Sequence, residues 1–543
     1  MKNINENFKF DKNKSNLKIS FERIAFIFFI FFIITAIFSS KTIYLGFKNI
    51  TQIKYIKEKE KYRASIMDRD GNILAKTVRI TNLGLNPNQI INKDKLLISL
   101  KLIFPEKNFE KEINGKKFFY IKKKISPRKL EKIKLLGEKS FREDENITRV
   151  YPNSNLFSHI LGQIDTDNNG ISGIEKSFDY ELTTSKKPLK LSLDTEIQYL
   201  IRQELLKFQN IFNSYGSTAI LMNVNNGEIL SMVSLPDFDL NKRENISDKK
   251  FINRSTKGVY ELGSVFKTFT LAAGLKHNVI QEDTLFENLP KKIKCAGRSI
   301  SEYDMDIPST LTAEEILIRS GNIGSIKIAQ KVGLENFKNF LDDLDLLNKT
   351  QFDIEEIGNP IPFKWGKCRL ATSAYGHGIT TTPLQLAKAY AIIANGGYKI
   401  QPTLIKKKKD LKKGEKVISE ENSKKIINIL RKIVTSEQGT ANLANINGYE
   451  IAGKTGTAQK SIKGKYSRKK INTFASIFPI LNPKYVLIVL LDEPKLSETY
   501  VYNYNDGKER KIVGTPFNTA GWTSVEVTKK IIEKIGPILA IKY

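Results

Sequence analysis

A serine followed three residues later by a lysine can carry acyl-transfer chemistry when one helical turn puts both on the same face. The hydroxyl is the nucleophile. The amine becomes its base if burial or a nearby cation lowers its pKa from about 10.4. The pattern occurs at Ser15/Lys18, Ser126/Lys129, Ser247/Lys250, Ser264/Lys267 and Ser467/Lys470. Four of these pairs stand in charged, solvated surroundings, where a surface or capping serine is the ordinary reading. Ser264 differs. It follows Tyr260-Glu261-Leu262-Gly263 and opens the apolar run Val265–Leu275, which predicts a buried helix. At such a start, backbone N–H groups are free to bind an oxyanion. Lys267 would be buried one turn on, where an unpaired ammonium is costly. Taken alone, the segment fits a capping serine with a snorkelling lysine equally well.

Two further segments carry polar groups suited to the same chemistry. Ser320-Gly321-Asn322 precedes a predicted helix, Ile323–Val332. Lys454-Thr455-Gly456 is the only Lys-Thr-Gly in the chain, and Thr457 follows it. A lysine with two threonine hydroxyls suits a substrate carboxylate, and Gly456 permits close backbone approach. The plain alternatives are helix capping for Ser320 and Asn322, and a turn for Lys454–Thr457. Gly448–Thr455 also matches the phosphate-loop pattern literally. Its context does not fit: Asn442–Asn447 is a poor strand, and Gly456–Lys470 has no helical apolar face. No Gly-x-Ser-x-Gly elbow occurs.

These segments need a frame. Asp194 or Thr195 can cap a helix with Ile197, Leu200, Ile201, Leu205, Phe208 and Phe212 on one face. Thr218–Val224 and Glu228–Val233 flank Asn225-Asn226-Gly227 as a hairpin, and Thr473–Phe478 and Tyr485–Leu491 read as two more strands. Val525–Ile535 reads as a closing helix stopped by Gly536-Pro537. Strands at both ends with helices between predict an α/β sandwich, one antiparallel sheet flanked by helices. Earlier, Asp70-Gly71 marks a hairpin turn within Ile66–Ala75.

Length and composition set the outer bounds. The chain has 543 residues and 40% apolar content, enough for two or three domains with real cores. The net charge of +30 is scattered, with clusters at Lys122–Lys124 and Lys406–Lys409, and does not call for a nucleic-acid partner. Cys295 and Cys368 lie far from any metal-ligand spacing; free thiols and a disulfide both remain open. Ile24–Phe38 is apolar apart from Thr35, and Arg23 and Lys41 can snorkel at its ends, so residues 24–40 read as a membrane anchor. No Ala-x-Ala cleavage signature follows. Basic residues flank both sides, so the positive-inside rule does not orient it.

Ser-x-x-Lys, Ser-x-Asn and Lys-Thr-Gly in this order resemble the signature of penicillin-binding proteins and serine β-lactamases. The surrounding segments resemble the division-type class B penicillin-binding transpeptidases: Arg63–Ala75, Arg149–Pro152, His159–Gly162, Gly173–Leu182, Leu191–Gln198, Gly258–Leu275, Gly376–Gln385 and Gln438–Ala458. Ala64 stands where that family usually has glycine, and Thr519–Val525 is a looser version of its closing motif.

The resemblance implies a β-lactamase-like transpeptidase sandwich at 191–543, a pedestal or dimerisation domain at 41–190, an anchor at 24–40 and a cytoplasmic tail at 1–23. It implies Ser264 as nucleophile, Lys267 as its base, Ser320 as proton relay, Asn322 as orienting group and Lys454 as a source of positive potential. Thr455, Gly456 and Thr457 would bind substrate, and the backbone N–H groups of Ser264 and Thr457 would form the oxyanion hole. The substrates would be peptidoglycan stem peptides on lipid-linked precursor strands, with β-lactams as inhibitors and no metal or organic cofactor. A SEDS-class glycosyltransferase and other division proteins are the implied partners. The implied location is the bacterial inner membrane, single-pass, with the catalytic domain in the periplasm. An elongation-type transpeptidase and a catalytically silent division scaffold are the competing readings.

Overall fold

The computed structural model describes residues 21–47, 62–242, 251–295, 297–407, 414–462, 465–505 and 509–543. The chain separates into two units, Met1–Lys61 and Tyr62–Tyr543. In the first, one helix spans Phe21–Phe47. It is the one helix among the described residues long and apolar enough to cross a membrane. Its 27 residues span roughly 40 Å at 1.5 Å per residue, more than a bilayer core requires. The apolar run alone predicts a shorter element. The helix continues past Lys41 because Thr42 turns its hydroxyl back onto Phe38 O at 2.8 Å, hiding its polarity within the helix. Most of the 1–23 tail lies outside the described residues, as do residues 48–61 of the pedestal assignment.

The second unit is built on a five-stranded antiparallel sheet, in the order Ala452–Ile462, Lys465–Phe478, Tyr485–Asp492, Gly216–Asn223, Ile229–Leu235. Tyr485–Asp492 and Ile229–Leu235 are buried throughout. Tyr485–Leu491 reads as a continuous apolar run rather than an alternation, the pattern of a strand buried on both faces, while Ile229–Leu235 also buries Ser231 and Ser234. Asp194 caps the Thr195–Ile211 helix, accepting from Ile197 N at 3.0 Å. Its apolar face, with Ile197, Ile201, Leu205 and Phe208 buried, packs on the sheet. Pro383–Ala394, buried along its whole length, packs on Tyr485–Asp492, Gly216–Asn223 and Lys465–Phe478.

The closing helix does not stop at Gly536-Pro537 but runs from Ser524 to Lys542. Proline inside a helix costs about 3 kcal/mol. Here Leu539 is buried beyond it, and the helix end is tied down at Asp194: Tyr543 OH donates to Oδ2 at 2.9 Å and Lys542 Nζ at 3.2 Å. Burial and these bonds offset the break.

Ahead of the sheet, five further strands form a mixed sheet that includes the expected Ile66–Met67/Ile73–Leu85 hairpin. The segments of residues 63–75, 149–152 and 173–182 converge in one buried ion cluster. Glu175 takes Arg63 Nε at 2.9 Å on Oε2 and Arg149 Nε at 2.8 Å on Oε1, with all three side chains almost wholly buried. Arg149 Nη1 also donates to Ala64 O at 2.9 Å, and Ala64 N to Leu182 O at 2.7 Å, so alanine is accommodated at that turn. Asp68 Oδ2 accepts from Thr195 Oγ1 at 2.5 Å, joining this region to the first sheet helix. Removing the shared anion would leave buried Arg149 without its carboxylate and Arg63 with Asp179 alone, at 2.6 Å. Glu175→Ala is therefore expected to lower stability by about 3–5 kcal/mol, read as a fall in thermal midpoint. A midpoint unchanged from wild type would show that the cluster does not hold this joint.

Candidate active site

Ser264 lies in a 3-10 turn, Gly263–Phe266, that runs directly into the helix Lys267–Lys276. The strand Ala452–Ile462 crosses against this turn. A Cβ at Gly456 would sit 2.2 Å from Leu262 O, so no larger residue lets the two backbones meet. Gly263, at φ +63°, is likewise closed in by Thr457 O at 2.9 Å from any Cβ. The two glycines thus bring the Lys-Thr-Gly strand and the Ser264 turn together.

Lys267 is 1% exposed and Lys454 0%. Their amines converge on one hydroxyl: Ser320 Oγ lies 3.2 Å from Lys267 Nζ and 2.9 Å from Lys454 Nζ. Ser320 adopts a left-handed backbone, φ +59°, and its carbonyl also accepts from Lys267. Asn322 Oδ1 accepts from the same amine at 2.7 Å. A neutral amine has two N–H donors and one lone pair. Ser320 O and Asn322 Oδ1 use both donors, which leaves the lone pair for a hydroxyl proton. Burial pushes the Lys267 pKa down to about 7, against a weaker upward pull from Glu302. Burial, and then Lys267, hold Lys454 well below its ordinary value. Two buried ammonium groups this close resist being charged together. Ser264 Oγ makes no hydrogen bond among the described residues, and catalytic hydrogen bonds commonly tighten only with substrate bound.

Thr455 and Thr457 are held by neighbouring segments. Thr455 Oγ1 lies 2.7 Å from Thr440 Oγ1, and Thr457 Oγ1 accepts from Ala520 N at 2.9 Å. Glu302 accepts from Asn322 N and Ile323 N. Sequence reasoning did not single out Thr440, Ala520 or Glu302; the first two lie within segments noted for their resemblance, whereas Glu302 has no local signal at all. Beside the nucleophile turn lies a cavity of about 960 Å³. Tyr260, Glu261, His377 and Tyr466 line it. None of the eight predicted site residues does.

The two other Ser-x-x-Lys pairs among the described residues resolve as structural. Ser126 caps the helix Pro127–Lys134, and Ser467 lies on a strand with its hydroxyl on Lys460 O. Ser15/Lys18 and Ser247/Lys250 lie outside the described residues. Gly448–Thr455 leads into a strand and opens no helix, so it is not a phosphate loop. Among the described residues no group of His, Cys, Asp and Glu is placed to hold a metal ion. Cys295 and Cys368 form a disulfide, which closes the question of their state.

An antiparallel sheet flanked by helices, with a serine-lysine turn crossed by a Lys-Thr-Gly strand, defines an active-site-serine acyl-transfer protein. Residues 217–517 match the penicillin-binding protein transpeptidase domain, and residues 58–202 the penicillin-binding protein dimerisation domain. The chain belongs to the penicillin-binding protein transpeptidase family. It is 29% identical to the probable peptidoglycan D,D-transpeptidase FtsI of Caulobacter vibrioides, over 90% of this chain and 83% of that protein. It is 30% identical to the stage V sporulation protein D of Bacillus subtilis, over 80% of this chain and 75% of that one. With the peptidoglycan D,D-transpeptidase FtsI of Escherichia coli K12 it shares 27% identity, over 81% and 80%. The fold matches penicillin-binding protein 3 of Mycobacterium tuberculosis, solved with aztreonam, at a TM-score of 0.67 and 22% identity, covering 89% of this chain and 97% of that one.

Proposed function

We propose that this chain is a division-type peptidoglycan D,D-transpeptidase, cross-linking stem peptides through an acyl-enzyme on Ser264. The observation that carries this reading is the meeting of Lys267 and Lys454 on Ser320 Oγ, beside the turn that bears Ser264. Ser264 Oγ attacks the penultimate D-alanine carbonyl, and its proton passes to the neutral Lys267 amine. The tetrahedral oxyanion sits at the backbone N–H groups of Ser264 and Thr457. Ser320 passes a proton to the departing D-alanine amine, and Asn322 keeps Lys267 aimed. The amine of a second stem then attacks the ester, the new amide forms, and the proton returns to Ser264. Thr455 and Thr457 hold the substrate's terminal carboxylate, with Gly456 letting the strand approach. That carboxylate also stabilises charge on Lys454, which burial otherwise opposes. β-Lactams enter as carbonyl analogues of the same substrate and acylate Ser264.

The chain divides functionally at about residue 190, with the pedestal before it and the transpeptidase domain after it. The Phe21–Phe47 helix anchors it in the inner membrane, with the catalytic unit on the periplasmic side. The Cys295–Cys368 disulfide supports that side, because such bonds persist in oxidising compartments. Anchor and pedestal would meet a SEDS-class glycosyltransferase and other division proteins, so location rather than chemistry sets the septal role. Depletion is expected to block septation while side walls grow, giving filaments or chains, with a fluorescent fusion gathered at mid-cell. Rounded, swelling cells with dispersed fluorescence would assign the protein to elongation instead.

A further inference from the structure

The antiparallel pair Lys292–Cys295 and Arg298–Ser301 leads straight into Glu302. Both carboxylate oxygens of Glu302 are engaged by backbone: Asn322 N donates to Oε2 at 2.6 Å and Ile323 N to Oε1 at 2.7 Å. These open the helix Asn322–Val332, whose first N–H groups have no partner within the helix. One residue earlier, Ser301 O accepts from Asn322 Nδ2 at 2.9 Å. Asn322 is thus held by backbone and by side chain, with its remaining oxygen on Lys267 Nζ at 2.7 Å. Glu302 is 7% exposed, and among the described residues no cationic side chain stands within ion-pair distance of it. Burying a carboxylate without a paired cation is costly, and its hydrogen-bond compensation here is the turn that presents Asn322.

The hairpin is itself anchored. Cys295 is bonded to Cys368, in the helix Lys367–Ser373, with Cα atoms 5.7 Å apart. That helix leads to Gly378, whose N–H donates to Glu261 Oε2 at 3.0 Å, three residues before Ser264. The disulfide therefore joins the segment that aims Asn322 to the segment that backs the nucleophile turn.

We propose that Glu302 is a positioning residue for acyl transfer, clamping the first turn of the Asn322 helix so that Asn322 aims Lys267, with the Cys295–Cys368 disulfide holding its hairpin in register. This rests on the acyl-transfer reading of the site. The charged groups facing Lys267 are Lys454, from the crossing strand, and Glu302, whose anion favours the ammonium form and opposes burial. Glu302 therefore acts on Lys267 both through Asn322 and through its field.

The test is the rate of acylation of full-length protein in detergent by a fluorescent penicillin, followed against pH. Glu302→Gln is expected to slow the plateau rate on the order of tenfold to a hundredfold. It is also expected to move the midpoint of the rising limb to lower pH, because the anion that favours charged Lys267 is gone. Glu302→Asp keeps the charge and should keep the midpoint. The chain has two cysteines, so a reductant has one disulfide to open. Reduction should slow the wild type and add little to Glu302→Gln, since coupled changes are not additive. A Glu302→Gln protein with the wild-type midpoint, or one slowed by reduction as much as wild type, overturns the inference. A wild type that takes no label overturns the acyl-transfer reading instead.

Discussion

Ser264→Ala is expected to abolish the covalent penicillin adduct. Among the Ser-x-x-Lys serines described, Ser264 alone starts a buried helix with the lysine buried one turn on, against the Lys-Thr-Gly strand. The hydroxyl has no substitute in that turn, since Val265 and Phe266 follow it and Gly263 precedes it. Loss of a nucleophile acting as one unit with its base costs a factor on the order of 10⁴ to 10⁶. Intact-mass measurement after incubation with penicillin should show a stable mass increase for the wild type and none for the variant, and peptide mapping should place the mass on Ser264. Binding itself should survive, because Lys454, Thr455 and Thr457 remain. An adduct persisting in Ser264→Ala would sink the assignment of the nucleophile.

The second large effect belongs to Lys267. Removing the amine takes away the base, and no described histidine replaces it: His377 lies beyond Gly376, paired with Glu261 at 3.7 Å. Lys267→Ala should slow acylation by roughly 10² to 10⁴. Lys267→Arg should be as inactive, because guanidinium stays protonated. The pH dependence has a definite sign. Lys267 is a base only when neutral, and burial brings its pKa down to about 7. Acylation should therefore rise as pH increases through about 7 and fall, by one proton, below it. A profile flat across neutral pH, or an alanine variant that acylates at the wild-type rate, would move the base elsewhere.

The proposed site residues each carry a local signal, although each signal alone also fits a cap or a turn, and only their order along the chain joins them. Ser264 stands before an apolar run, Ser320 and Asn322 before a helix, and Lys454 beside the only glycine of its kind in the chain. The Thr195–Ile211 helix and the strand pair Gly216–Asn223 and Ile229–Leu235 were legible from local pattern. Periodicity, a capping aspartate and an Asn-Asn-Gly turn are properties of a dozen neighbouring residues.

Local pattern by itself determined the antiparallel strands and the apolar helix near the start, because short-range preference and burial point the same way there. The acyl-transfer chemistry, in contrast, was read from three short motifs whose order resembles a known family. Only the tertiary structure decided features that depend on residues distant in the chain. Gly536-Pro537 signals a helix end, but Asp194, some 340 residues earlier, holds the helix through it, and local preference yields to burial and hydrogen bonding. The Cys295–Cys368 pairing is set by which strand lies beside which helix, something no spacing encodes. Glu302 is an ordinary acidic residue in the sequence. It gains its place because a carboxylate can satisfy two orphan N–H groups only where a folded hairpin delivers it to the start of another helix.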